Sequence, residues 1–133
     1  MSFNLKTKAL NDTAVVTLMN PDDSGVALVD PETGLDCTIT IFGRTSKEYR
    51  VWAATAARKS EKQGKKKLSI DEVAENTADF LTAITKSVSG IDLDGEVLDN
   101  PASIKKMYML PELEWIGGQV VAVLGDQADF LAQ

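Results

Sequence analysis

Ser69–Gly90 reads SIDEVAENTADFLTAITKSVSG, and its periodicity carries most of the fold assignment. Ser69 and Glu72 have capping-box spacing: the hydroxyl can take the Glu72 amide while the carboxylate reaches back to the cap. Asp71 and Glu72 suit the positive end of a helix dipole. Ile70, Val73, Ala74, Thr77, Leu81, Ile84 and Val88 then fall on one helical stripe, widened by Phe80. The spacing predicts a helix from Ser69 to Val88, closed by Gly90 as a C-terminal glycine.

Upstream, the period changes to two. Thr13–Met19 (TAVVTLM) is β-branched and apolar and reads as a strand. Pro21–Gly25 and Pro31–Gly34 are turn signals, with a short strand at Val26–Val29 between them. Leu35–Phe42 (LDCTITIF) alternates Leu35, Cys37, Ile39 and Ile41 against Asp36, Thr38 and Thr40, a half-buried strand that Gly43 ends. A helix is expected to start near Ser46. Tyr49, Trp52, Ala53, Ala56 and Ala57 give it a packing face that fades at Arg58, and Gly64 interrupts it.

Downstream, Asp94-Gly95 between two short apolar runs predicts a hairpin turn. Asn100 and Pro101 are a favoured cap and first residue for a helix carrying Ile104, Met107 and Tyr108. Pro111 opens a last long helix with Leu113, Trp115, Ile116, Val120 and Leu124, ended by Gly125; Asp126 can cap one further turn. The expected fold is α+β, mainly α. A small N-terminal antiparallel sheet (residues 1–43) precedes four or five helices (44–133) in a single domain of 133 residues.

Composition excludes several kinds of function. Histidine is absent, which removes the commonest general base near neutral pH and every imidazole triad. The single cysteine, Cys37, cannot form an internal disulfide or build a metal site alone, and in its strand it reads as a small hydrophobe. No apolar run reaches the roughly 18–20 residues of a membrane span. The start, MSFNLKTKALNDTAVV, lacks the regions of a signal peptide, so a cytoplasmic protein is expected.

Charge is segregated. Arg44–Lys67 holds nine Lys/Arg and two acids, a local +7, while the remainder holds five basic and eighteen acidic residues, −13, giving the net −6. Such segregation favours contacts with acidic partners or with further copies.

Candidate motifs for chemistry fail on spacing. If Gly95 were the sixth position of a calcium loop, positions one and twelve would fall on Gly90 and Pro101, neither of which offers a side-chain oxygen. Glu112 sits in a first helical turn, where an acid serves the dipole. Arg58, Lys59, Lys62, Lys65, Lys66 and Lys67 read as a solvated face, as a contact for an acidic protein or another copy, or as a phosphate-binding run. Gly117-Gly118 lies inside a helical pattern and reads as close backbone packing or as a weak point.

Three stretches carry a family resemblance: DGEVLDNPASIKKMY (94–108), ELEWIGGQVVAVLGDQADFL (112–131) and ITIFGRTSKEYR (39–50). Together they resemble the tail assembly chaperones of long-tailed bacteriophages: an Asp-Gly-Glu turn before a short helix with a Tyr, a Trp-containing helix with Gln119-Val120, and an Asp-x-x-x-Phe-Leu tail. The chain departs from that pattern where Val88 stands for a Trp and Gly117-Gly118 for a polar pair.

The resemblance implies a non-enzymatic role with no cofactor and no nucleic-acid or membrane partner. It implies binding to the tape-measure protein, which is kept soluble in the host cytoplasm until the tail tube polymerises. It further implies a longer frameshifted form that recruits the tail-tube protein, and absence from the mature virion. Ser69–Val88 and Pro111–Leu124 are expected to build a core and a groove, with Trp115, Ile116, Val120, Phe130 and Leu131 as anchors; the same residues could instead fill the core. Other readings are a tail terminator or connector retained in the virion, or a small nucleic-acid-binding regulator.

Overall fold

In a computed structural model describing residues 2–64 and 67–131, one apolar core takes side chains from both halves of the chain. A 3-10 turn at Leu5–Lys8 precedes β1 (Thr13–Thr17), β2 (Met19–Asn20), β3 (Asp23–Ala27) and β4 (Thr38–Phe42). Two helices follow, α1 (Lys47–Gln63) and α2 (Ile70–Ile84). The chain then returns to strands, β5 (Thr85–Ser89), β6 (Asp92–Leu93) and β7 (Glu96–Val97). It ends with α3 (Pro101–Met109), a 3-10 turn at Pro111–Leu113, α4 (Glu114–Leu124) and a 3-10 turn at Gln127–Phe130.

The main sheet is antiparallel, in the order β1-β4-β5. Ala14 pairs with Ile41 and Val16 with Ile39, so one face is continuous apolar surface. Ile39 and Ile41 are fully buried there. On the other face Val15 and Thr17 are exposed, the alternation expected of a sheet covered on one side. α4 covers the inner face of β1 and β4, and α3 packs between α2 and α4. β2–β3 and β6–β7 are small separate hairpins.

The expected order, an N-terminal sheet followed only by helices, is overturned. Among the described residues four α-helices and seven strands form three small sheets, and strands both precede and follow α1 and α2. The helix read as Ser69–Val88 stops at Ile84. Its last expected turn is instead β5, which hydrogen-bonds to β4 and places Val88 opposite Ile39. Thr85-Lys86-Ser87-Val88-Ser89 is rich in residues with weak helix preference, and β4 offers a free edge that a helical turn could not use. Gly90, at φ 83, therefore ends a strand and not a helix.

Other boundaries follow local chemistry. Ser46, nearly inaccessible, donates to the Gly43 carbonyl at 2.6 Å and accepts the Tyr49 amide at 3.1 Å, which starts α1. α1 runs through the position where its apolar pattern fades and ends at Gly64. Both partners of the Ser69/Glu72 capping box are engaged. Asn100 caps α3, with Pro101 in its first turn. Asp94 and Gly95 both have positive φ, as the two-residue β6–β7 turn requires, and Asp92 Oδ1 accepts the Gly95 amide at 3.0 Å. Leu35 stays outside β4 and is exposed, while Cys37, Ile39 and Ile41 are buried.

Candidate functional site

The predicted anchors divide sharply by burial. Ile116 and Val120, one turn apart on α4, face the sheet and are almost inaccessible, as is Phe130. Phe130 lies against Gly43, where its ring fills the space a side chain would take. Its carbonyl accepts the Asn11 amide, and Leu131 forms an isolated bridge with Leu10. Trp115 and Leu131 are half-buried, with Trp115 packed on the rim of the core. Ile116, Val120 and Phe130 are thus structural in this arrangement. Partner contact from that group is left to the outer parts of Trp115 and Leu131.

Exposed apolar side chains occur in several parts of the molecule, Phe3, Leu5, Val15, Leu35 and Val97 among them, and a further group lies on α1 and the start of α2. No described side chain of α1 is buried. Its contact with α2 is an aromatic trio: Trp52 and Phe80 ring centroids are 4.4 Å apart, and Tyr49 meets Phe80 edge-on at 6.2 Å. Val51, just outside this trio, is 56% exposed. The α2 stripe overhangs the core: Ile70 is 88% exposed and Val73 49%, and burial begins only at Ala78.

Two hollows flank Trp52. One, of about 470 Å3, is lined by Lys47, Glu48, Val51, Trp52, Thr55 and Ala83. The other, of about 420 Å3, lies along the α1–α2 seam and reaches Lys59, Leu68, Asn76 and Asp79. Sequence reasoning weighs Trp52 as a stacking group beside the basic stretch and favours it as part of a buried stripe, and so misses this surface. The usable signal was Val51 and Thr55, four residues apart and off the Tyr49/Trp52/Ala56 face.

The basic residues border the same surface. Arg58, Lys59, Lys62 and Lys67 are exposed, whereas Lys65 and Lys66 lie outside the described residues. The ion pairs among the described residues join Lys105 to Glu75 and Asp79 and Lys106 to Glu96, so every cation used is on α3. Hydrogen bonds with Asp79 and Glu75 hold the Lys105 ammonium above the usual lysine range. Cys37, buried with its sulfur 3.3 Å from the Gly90 carbonyl, has its thiol pushed up by burial and by Asp30 and Asp36, so it packs as a protonated thiol.

Among the described residues no helix is long and apolar enough to cross a membrane. Comparison with protein-family models, curated proteins and solved structures finds no match to this chain.

Proposed function

We propose that this chain is a non-enzymatic assembly chaperone of the phage-tail type, which holds a helical tape-measure protein soluble until tube subunits surround it. The observation that supports this most is the state of α1: a 17-residue helix with no buried described side chain, with Val51 exposed and Trp52 only partly buried. Helix-in-groove recognition uses such surfaces, with aromatic anchors and aliphatic neighbours. The resemblance in residues 39–50 and 94–131 supplies the identity of the partner. On this reading the protein acts in the host cytoplasm and is left out of the virion, and a longer frameshifted form brings the tail-tube protein.

The test is co-expression with the tape-measure protein encoded nearby. Expected is a tape-measure protein that is soluble with this chain and aggregated without it; equal solubility in both cases overturns the reading. Mass spectrometry of purified particles separates it from a retained terminator or connector, which would be present in stoichiometric amounts.

A further inference from the structure

We propose that the outer edge of β1 pairs with the same edge of a second copy of this chain, antiparallel and two-fold about Val15, joining two three-stranded sheets into one of six strands. The ladder shows which groups are open. Gly43 donates to the Asp12 carbonyl and Leu18 to the Cys37 carbonyl, so the residues that bond towards β4 are Asp12, Ala14, Val16 and Leu18. The N–H and C=O groups of Thr13, Val15 and Thr17 therefore point away from β4, and none has a hydrogen-bond partner among the described residues. Beyond this window the chain closes the edge itself. The Asn11 amide donates to the Phe130 carbonyl, and the Gln119 carboxamide takes both main-chain groups of Met19.

The two edges of the sheet are built differently. An unpaired edge invites another strand, and proteins usually blunt it with a lysine, a proline or a bulge. β5 has two of these: its pairing with β4 slips between Thr40 and Ile41, and the residue left over is the exposed Lys86. β1 (TAVVT) has none. Its register with β4 is unbroken, and Val15 is 60% exposed.

Symmetry selects the occupant. In a two-fold antiparallel pair each Thr13 lies opposite a Thr17, and Val15 lies opposite itself. The outward residues Thr13, Val15 and Thr17 read the same in both directions, and matched β-branched pairs are favourable across strands. A residue on a two-fold axis meets its own copy, so a charge there would repel itself. β1 carries none, nor do Thr38, Thr40 and Phe42, its cross-strand neighbours on the outer face. Asn11 and Met19, the closed positions, are equally spaced about Val15 and fall opposite each other. Pairing thus ends there without orphaning a group, and strand twist carries the chains apart beyond it. A foreign strand would need neither the symmetric window nor the neutral axis.

The experiment uses the full chain. Sedimentation equilibrium over a range of concentrations is expected to show a monomer passing into a dimer; five residues a side is a small contact, so the association is expected to be weak, in the micromolar range. Val15→Lys sets two ammonium groups on the axis and should weaken the dimer about tenfold or more, as should Val15→Glu. Mixing the two variants should restore it, because this register sets position 15 against itself. Val51→Lys, on the exposed side of α1, should change nothing. Circular dichroism checks the fold of each variant. In the unaltered chain, amide exchange read by NMR should slow at Thr13, Val15 and Thr17 as concentration rises, and stay the same at Val88 on the opposite edge.

A chain that stays monomeric at every concentration overturns the proposal. So does a dimer that survives Val15→Lys, or one that Val51→Lys dissolves. A mixture of the Lys and Glu variants that remains monomeric overturns it too, as does exchange at Thr13, Val15 and Thr17 that ignores concentration. The pairing stands apart from the chaperone reading, and failure of either leaves the other intact.

Discussion

Gln119 and Met19, a hundred residues apart, are joined by two hydrogen bonds: Gln119 Oε1 accepts the Met19 amide at 2.8 Å and Gln119 Nε2 donates to the Met19 carbonyl at 2.9 Å. The carboxamide thereby serves as a strand partner where the β2–β3 pairing slips register, and it ties α4 to the start of β2. Gln119→Ala should cost about 1–3 kcal/mol, since it leaves a half-buried amide and carbonyl without partners. Gln119→Glu should not rescue the loss, because a carboxylate cannot donate to the carbonyl. Urea unfolding of the three proteins checks this.

The two glycines inside α4 should separate cleanly. A Cβ at Gly118 meets nothing within 4 Å, whereas one at Gly117 would stand 3.0 Å from Leu81 Cδ1 in the core. Gly118→Ala is expected to stabilise by about 0.5–1 kcal/mol through helix propensity. Gly117→Ala must displace Leu81 and should show no such gain. Thermal melts of the two single variants decide it, and equal gains would show that Leu81 yields freely.

Gly43 is reserved for Phe130. A Cβ there would fall 2.5 Å from Phe130 Cε1, so Gly43→Ala is expected to push the ring out and cost about 1–3 kcal/mol. In a Phe130→Ala background, the same change should be almost free, a non-additivity that a double-mutant cycle reads directly.

Tyr108 should make stability fall at high pH. Desolvation pushes its phenol up to about 12, with the hydrogen bond to Thr85 (2.8 Å) working the other way. The unfolded phenol titrates near 10, so between about pH 10 and 12 the unfolded chain loses its proton first. The contribution is whole below about pH 10 and is lost as pH rises towards 12, about 2–3 kcal/mol in all. Tyr108→Phe should remove that part of the slope, seen as the difference between the two proteins' urea midpoints across this range.

Local chemistry was legible wherever it was self-contained. The Cys37/Ile39/Ile41 alternation, the Ser69 and Asn100 caps and the Asp94-Gly95 turn all form as their residues suggest. The end of α2 was not, because Val88 satisfies a helical stripe and a strand face equally well. What decides between them is the free edge of β4, far away in sequence. The anchors on α4 were ambiguous for a related reason: an apolar stripe looks the same whether it meets a sheet or a partner. On α2 the stripe continues past the core, so periodicity alone could not tell that Ile70 and Val73 would be left in solvent.

β4 and β5 are neighbours in the sheet, yet residues 43–84, with both long helices, lie between them. That separation makes closing the sheet a distant, entropically slow step in folding. It also decouples the two parts afterwards. α1 rests on α2 through a few rings and has no buried side chain among its described ones, so its amides should exchange with solvent by a local opening far shallower than global unfolding. The sheet, held by Ile39 and Ile41, would keep its protection while the helix exchanges, and ligand binding would appear first as slowed exchange along α1.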